Sequence, residues 1–209
     1  MRRLTIFLAT VYLSISFSFA QMKKMENTAL FVKQMEQRVP SVKSVESDFK
    51  QIKHIADFDQ DITSSGKFYY IPVNKVCLKY AKPQPYLVVI SGDKIKIESD
   101  GKKNIMNLKD NKQLQQMQYI LTVCLTGGFL NLPDDYQTAF FEDELSYLVT
   151  IKPVNESAKK SISQFDIYMN KKDMSVNKLR IYEPKGDYTE YYFSNIKFNT
   201  LSNGALFKI

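Results

Sequence analysis

Residues 65–108 read SGKFYYIPVNKVCLKYAKPQPYLVVISGDKIKIESDGKKNIMNL. Short runs rich in β-branched and aromatic residues are cut by turn chemistry at regular intervals, the signature of successive strands. Ser65–Ile71 ends at Pro72, and Val76–Ala81 ends at Lys82-Pro83. Tyr86–Ser91 turns at Gly92-Asp93 into Lys94–Ser99, which turns at Asp100-Gly101 into Lys103–Leu108. The connections are too short to hold crossover helices, so the pattern predicts an antiparallel meander and excludes βαβ units.

Working outward, the segment before this block alternates with period two. Val45, Ser47, Phe49 and Gln51 share one face, and Glu46, Asp48 and Lys50 the other, which predicts a strand with one wet side. Upstream, Met25–Val39 carries Leu30, Phe31, Met35 and Val39 at near-helical steps and stops at Pro40, a predicted amphipathic helix. Downstream, Asp110–Leu125 predicts a second helix with Leu114, Met117, Ile120, Leu121, Cys124 and Leu125 as its stripe, ended by Gly127-Gly128. Strands then resume at Gln137–Phe141, Leu145–Pro153, Ser163–Asn170, Val176–Glu183, Asp187–Phe193 and Ile196–Asn199. The expected class is mainly β, an α+β chain with about ten or eleven antiparallel strands and two helical segments. A sheet of that size curls or closes, and side chains or a ligand must fill its inward face. No repeat or linker interrupts residues 21–209, which read as one domain.

The chain has 209 residues. Arg2-Arg3 precede an apolar run, Leu4 to Phe19, that ends in the small-x-small triplet Ser18-Phe19-Ala20. Residues 1–20 therefore read as a secretory signal peptide cleaved after Ala20. The run is short and holds Ser14, Ser16 and Ser18, which speaks against a membrane-spanning anchor. The net charge of +7 falls to +5 once the two arginines leave.

A hydrophobic share of 44% and a charged share of 24% exclude a disordered chain. One histidine excludes a His-rich metal centre, and two cysteines exclude a disulfide scaffold or a four-thiolate zinc site. His54, between Lys53 and the acidic run Asp57, Asp59, Asp61, has no nucleophile motif beside it and reads as a solvated strand-end residue. The acidic run lacks the Gly and Glu of a calcium loop, having Ile62 and Phe68 there, and reads as a hairpin tip. Alternation puts Cys77 on the face opposite Leu78 and Tyr80, so Cys77 and Cys124 are expected as unpaired thiols. The lysine pairs mark turns or the N-terminus and not one face, so no nucleic-acid partner is expected. No catalytic residue, metal or cofactor is assigned.

The aromatic inventory, 14 Phe and 13 Tyr with no Trp, is the strongest remaining feature. Phe68, Tyr70, Leu78, Tyr80, Tyr188, Tyr191, Tyr192 and Phe193, with Met106, Met117 and Met169, fall on strands or the central helix. Such a set suits a filled core and equally an adaptable apolar cavity.

The order of short motifs carries a resemblance. Phe49-x-Gln51 is followed by Gly66-x-Phe68, then Leu78-Lys79-Tyr80, Pro83-x-Pro85 and Val88-Val89-Ile90-Ser91-Gly92-Asp93; late in the chain come Tyr191, Asn199 and Phe207. This succession resembles the periplasmic outer-membrane lipoprotein carrier family, the LolA-like proteins. Tyr80 stands where that family usually carries Trp, and Asn74-Lys75 where it has a basic residue and Pro. The resemblance implies an unclosed antiparallel β-barrel with helices forming a lid over an apolar cavity. It implies a monomeric periplasmic carrier, not an enzyme, that shields the acyl chains of lipoproteins received from an inner-membrane ABC-type exporter. On that reading Phe49, Phe68, Tyr70, Leu78 and Tyr80 line the cavity, and Met117, Ile120, Leu121 and Cys124 form the lid face. The alternative on the same fold is a binder of another lipid or pigment precursor, or a lipid-sensing domain.

Overall fold

The computed structural model describes residues 22–72, 74–110, 115, 118–119, 122–123, 127–201 and 204–209. The expected signal peptide, and Met117, Ile120, Leu121 and Cys124, lie outside the described residues.

Twelve antiparallel strands form one sheet: β1 (Lys23–Lys24), β2 (Val45–Ile55), β3 (Gln60–Ile71), β4 (Lys75–Lys82), β5 (Tyr86–Ser91), β6 (Lys94–Ser99), β7 (Lys102–Asn107), β8 (Tyr136–Glu142), β9 (Ser146–Pro153), β10 (Gln164–Asn170), β11 (Val176–Tyr182) and β12 (Tyr188–Phe198). Their order is β1-β8-β9-β10-β11-β12-β2-β3-β4-β5-β6-β7. Two meanders are thus joined where β12 pairs with β2, Phe193 opposite Phe49. Strands β1 and β7 are the free edges, so the sheet does not close. It curls all the same. Ile95 of β6 and Val149 of β9 belong to one buried cluster although seven strands separate theirs in the sheet order.

The inner face follows the predicted alternation: Val45, Ser47 and Phe49 are buried, with half-exposed residues between them. Details of the strands and turns differ from expectation. The polar run before Ser65 is strand, because Gln60–Ser64 pair with Gln51–Ile55 across the β2–β3 hairpin; long-range pairing overrides weak local propensity. The last two predicted strands are one, β12, with a bulge between Ser194 and Lys197 where Asn195 adopts φ 52°. The short β1 was not predicted, and the four-residue helix α2 (Glu156–Lys159), capped by Asn155 Oδ1 accepting from the Ala158 N–H, replaces a predicted turn.

Helix α1 (Ala29–Arg38) covers part of the inner face. At ten residues it is too short to persist alone, and packing holds it. Phe31 is fully buried, stacks on Phe129 at 6.0 Å and meets Phe140 tilted at 5.5 Å and Tyr147 edge-on at 4.8 Å, and Met35 follows one turn later. Each such side chain contributes roughly 1.5–3 kcal/mol. Leu30, expected on the same face, is instead 64% exposed, since the helix phase that buries Phe31 turns its neighbour outward. Gln115, Gln118, Tyr119, Thr122 and Val123 are helical, in keeping with the predicted central helix. Val123 enters the main core, and the Thr122 hydroxyl donates to Asn74 Oδ1 at the β3–β4 turn. Gly127, at φ +66°, passes against Met35 and Val39, so α1 and the segment behind the central helix form one cover.

A second, smaller cluster lies on the outer face. Cys77 and Val89 are covered by Phe207 of the C-terminal 3-10 turn. Cys77 is free, as expected, and burial pushes its thiol up to about 11.

Candidate functional site

The inner face is built from cross-strand rows. Phe49 lies opposite Gly66, Gly66 opposite Tyr80, and Tyr80 opposite Tyr86. The glycine is demanded by this row: a Cβ on it would stand 2.1 Å from the Lys79 carbonyl oxygen. Space over Gly66 lets the Phe49 ring meet Tyr80 edge-on at 4.9 Å, and Tyr80 stacks on Tyr86 at 4.0 Å. The Tyr80 hydroxyl donates to Gln51 Oε1 at 2.7 Å, giving the F-x-Q spacing a physical meaning. Burial raises the Tyr80 hydroxyl's pKa far above its ordinary value and pushes that of neighbouring Tyr191 up to about 12. The next rows hold Ser47, Phe68 and Leu78, then Val45, Tyr70 and Val76. The five strand residues singled out by sequence, Phe49, Phe68, Tyr70, Leu78 and Tyr80, are all buried on this face.

Beside them, between α1 and the β10–β12 end of the sheet, lies an apolar cavity of about 50 Å³. Its walls include Met35 and Val39 of the cover and Phe68, Met169, Phe193 and Phe198 of the strands. Of the five, Phe68 alone reaches this cavity; the other four pack in the core next to it. Reasoning from sequence missed the contribution of the C-terminal end of α1. The signal was there in Met35 and Val39, but nothing local shows which strands they meet.

Three buried side-chain polar atoms among the described residues have no hydrogen-bond partner, and two sit on the inner face: Ser47 Oγ in the cavity wall and Tyr70 Oη. Burial raises the Tyr70 pKa. At the opposite end a more polar recess of about 210 Å³ is bounded by Gln51, Thr189, Tyr191 and the Lys53–Glu183 ion pair.

Two aromatics of the sequence inventory face outward. Residues 189, 191 and 193 point inward, so alternation turns Tyr188 and Tyr192 to the outer face. There Lys178 lies between the rings of Tyr168 and Tyr192 and contacts Glu190 at 2.7 Å, while Arg180 sits over Tyr188 and Tyr182. His54 is more engaged than a solvated strand end: its ring stacks on Tyr188 at 4.7 Å and Nδ1 lies 2.8 Å from Asp61 Oδ1. Among the described residues no group of three or more His, Cys, Asp or Glu is placed to hold a metal ion.

Residues 40–209 match the family described as "Outer membrane lipoprotein carrier protein LolA". No curated protein sequence matches the chain. Among solved structures, it is similar to a DUF1329 family protein from Desulfovibrio piger, at 13% identity and TM-score 0.49, covering 84% of this chain and 93% of that one. A putative outer membrane lipoprotein-sorting protein domain from Vibrio parahaemolyticus matches at 11% identity and TM-score 0.45, covering 85% and 94%. The Mycobacterium tuberculosis lipoprotein LppX matches at 12% identity and TM-score 0.45, covering 82% and 94%.

Proposed function

The chain belongs to the outer membrane lipoprotein carrier family LolA, and from that premise we propose that it is a periplasmic carrier that takes the acyl chains of lipoproteins from an inner-membrane ABC-type exporter and shields them on the way to the outer membrane. The observation that carries this reading is the apolar cavity held between the inner face of an unclosed sheet and a separate helical cover. Shielding needs no covalent chemistry. Each methylene removed from water contributes about 0.8 kcal/mol, so a dry wall alone holds a chain.

The cavity as it stands is far below the roughly 300–1,000 Å³ of ordinary ligand pockets. Loading therefore requires the wall to yield. Met35, Met169 and Met174 are unbranched and adaptable, and α1 is short and held by side-chain packing. Closure over an empty wall and opening around an acyl chain then compete, which gives a carrier a means of release. Phe49, Tyr70, Leu78 and Tyr80 would join the acyl-binding surface as the cover lifts, with Met117, Ile120, Leu121 and Cys124 contributing from the central helix.

The test is native mass spectrometry of the protein purified from the periplasm of cells making lipoproteins. Acylated polypeptide bound to the chain is the expected result. Free lipid in its place would overturn the lipoprotein cargo and favour the reading as a binder of another lipid. A chain that carries neither, and takes up neither when offered, would overturn both.

A further inference from the structure

We propose that the chain holds an acyl group by its carbonyl as well as by its hydrocarbon, the hydroxyls of Ser47 and Tyr70 donating to the carbonyl oxygen through which the acyl chain is joined to its lipoprotein. The inference rests on the acyl-binding reading above and adds a polar contact to it. Alternation along β2 and β3 puts both residues on the inner face, where the packing calls for no polar atom. Ser47 is 2% exposed and Tyr70 is fully buried, and among the described residues neither hydroxyl has a hydrogen-bond partner.

That arrangement weakens the fold. A buried hydroxyl left without a partner is penalised, and alanine or phenylalanine in the same places would not be. Elsewhere on the inner face such hydroxyls are met: Tyr80 donates to Gln51 Oε1 at 2.7 Å, and Tyr147 donates to Gln34 Oε1 at 3.1 Å. A local rule broken twice, with no gain inside the fold, marks positions that serve a ligand.

The two hydroxyls belong to one place. Ser47 lies opposite Phe68 and Tyr70 opposite Val45, so Ser47 and Tyr70 are diagonal neighbours across the β2–β3 ladder. Val45, Ser47 and Phe68 line the cavity, which sets Tyr70 beside its wall. The β12 bulge lies across from Ser47, between the pairs Asp48–Ser194 and Glu46–Lys197, and its Ile196 lines the cavity too. The other polar side chains of the wall are engaged already. Ser175 donates to Asp173 Oδ1 at 2.6 Å, and Arg38 donates to the Asp173 carbonyl oxygen at 3.1 Å and to Ser41 Oγ at 3.2 Å.

What the unmet hydroxyls need is therefore an acceptor that arrives with the ligand. It should be uncharged, because two neutral hydroxyls in an apolar wall do not offset the desolvation of an ion. A carbonyl oxygen fits, and its two lone pairs can accept from both donors. An acyl chain attached to a protein ends in such a carbonyl, as an ester or an amide, whereas a free fatty acid would bring a charge.

The experiment is calorimetric titration of the chain with three peptides of one sequence, below micelle-forming concentrations. On the same side chain they carry a dodecanoyl ester, a dodecanoyl amide or a dodecyl ether. An apolar wall alone ranks the ether first, since it has the least polar surface to desolvate. With both hydroxyls donating, the tighter of the ester and the amide should bind at least about tenfold more tightly than the ether, and which of them it is identifies the linkage. Ser47→Ala and Tyr70→Phe should each shrink that margin and, without ligand, raise the midpoint of guanidinium unfolding, the opposite of what losing a structural contact does. An ether that binds as tightly as the better carbonyl peptide overturns the carbonyl contact while acyl binding stands. If no peptide binds, the acyl-binding reading itself fails. A lowered midpoint in either variant overturns the part assigned to that hydroxyl. The ranking of ligands on the unaltered chain uses no variant, so it stays readable even if a variant folds poorly.

Discussion

Replacing Gly66 with Ala should be among the most damaging single-methyl additions in this chain. The new Cβ would lie 2.1 Å from the Lys79 carbonyl oxygen and 2.9 Å from the Lys79 carbonyl carbon and Tyr80 Cα. That is well inside the ~3.5 Å at which non-bonded heavy atoms come to rest. Overpacking costs about 1–3 kcal/mol where side chains can yield. Here the obstructing atoms are backbone, so β4 must retreat from β3 and stretch one or two ladder bonds, at about 0.5–1.5 kcal/mol each. The stiffer unfolded chain returns about 0.4–1 kcal/mol. The net expectation is a loss of roughly 2–4 kcal/mol, a large part of the ~5–15 kcal/mol that holds an ordinary domain. Equilibrium guanidinium unfolding followed by far-UV circular dichroism measures it, with Gly204→Ala as control, since a Cβ there has nothing within 4 Å. A Gly66→Ala midpoint matching that of the control would refute the close approach, and with it the account of how Phe49 reaches Tyr80.

Two further outcomes follow from the other face. In a Cys124→Ser background, Phe207→Ala should expose Cys77 to an aqueous thiol reagent that barely touches the parent, because the burial that opposes thiolate formation is relieved; equal rates in parent and variant would show that Phe207 is not the cover. Burial opposes ionisation of Glu190, but hydrogen bonds from Lys178 and Tyr192 outweigh it and hold the carboxyl below its ordinary 4.5. A lowered folded-state value means that Glu190 stabilises the fold above the unfolded pKa, and that this contribution fades as pH falls through the folded one. Acid titration of stability should therefore be less steep in Glu190→Gln, and an unchanged slope would contradict the pairing.

Much of the fold was legible because its period was. Val45, Ser47 and Phe49 alternate cleanly, and Cys77 falls opposite Leu78 for the same reason. Where legibility failed, a distant partner had decided. Gln60–Ser64 look like loop until β2 pairs with them. Asn195 looks like the end of a strand and is a bulge within one. Leu30 and Phe31 are equally apolar, and only the rings of Phe129, Phe140 and Tyr147 choose between them. The candidate site divides in the same way. Its five strand residues could be placed on a face by counting, but the cavity belongs to contacts between α1 and strands far along the chain. Arg38 meets Asp173 across 135 positions, a contact no local pattern displays.

The sheet's two faces also differ in what they allow to move. On the outer face the long side chains are locked in pairs: Lys178 and Arg180 share Glu190, and their cationic ends rest on tyrosine rings. On the inner face most groups around the cavity are thioethers, aliphatic side chains and aromatic rings without directional partners, and the helix over them is held by the packing of Phe31 and Met35 and by single hydrogen bonds of Gln34 with Tyr147 and of Arg38 with Asp173. A rearrangement that admits a ligand breaks few hydrogen bonds on the inner face and many on the outer. Binding should then leave the strand framework in place and shift α1, because the strands are joined by continuous backbone ladders while α1 is held to the sheet by side-chain contacts.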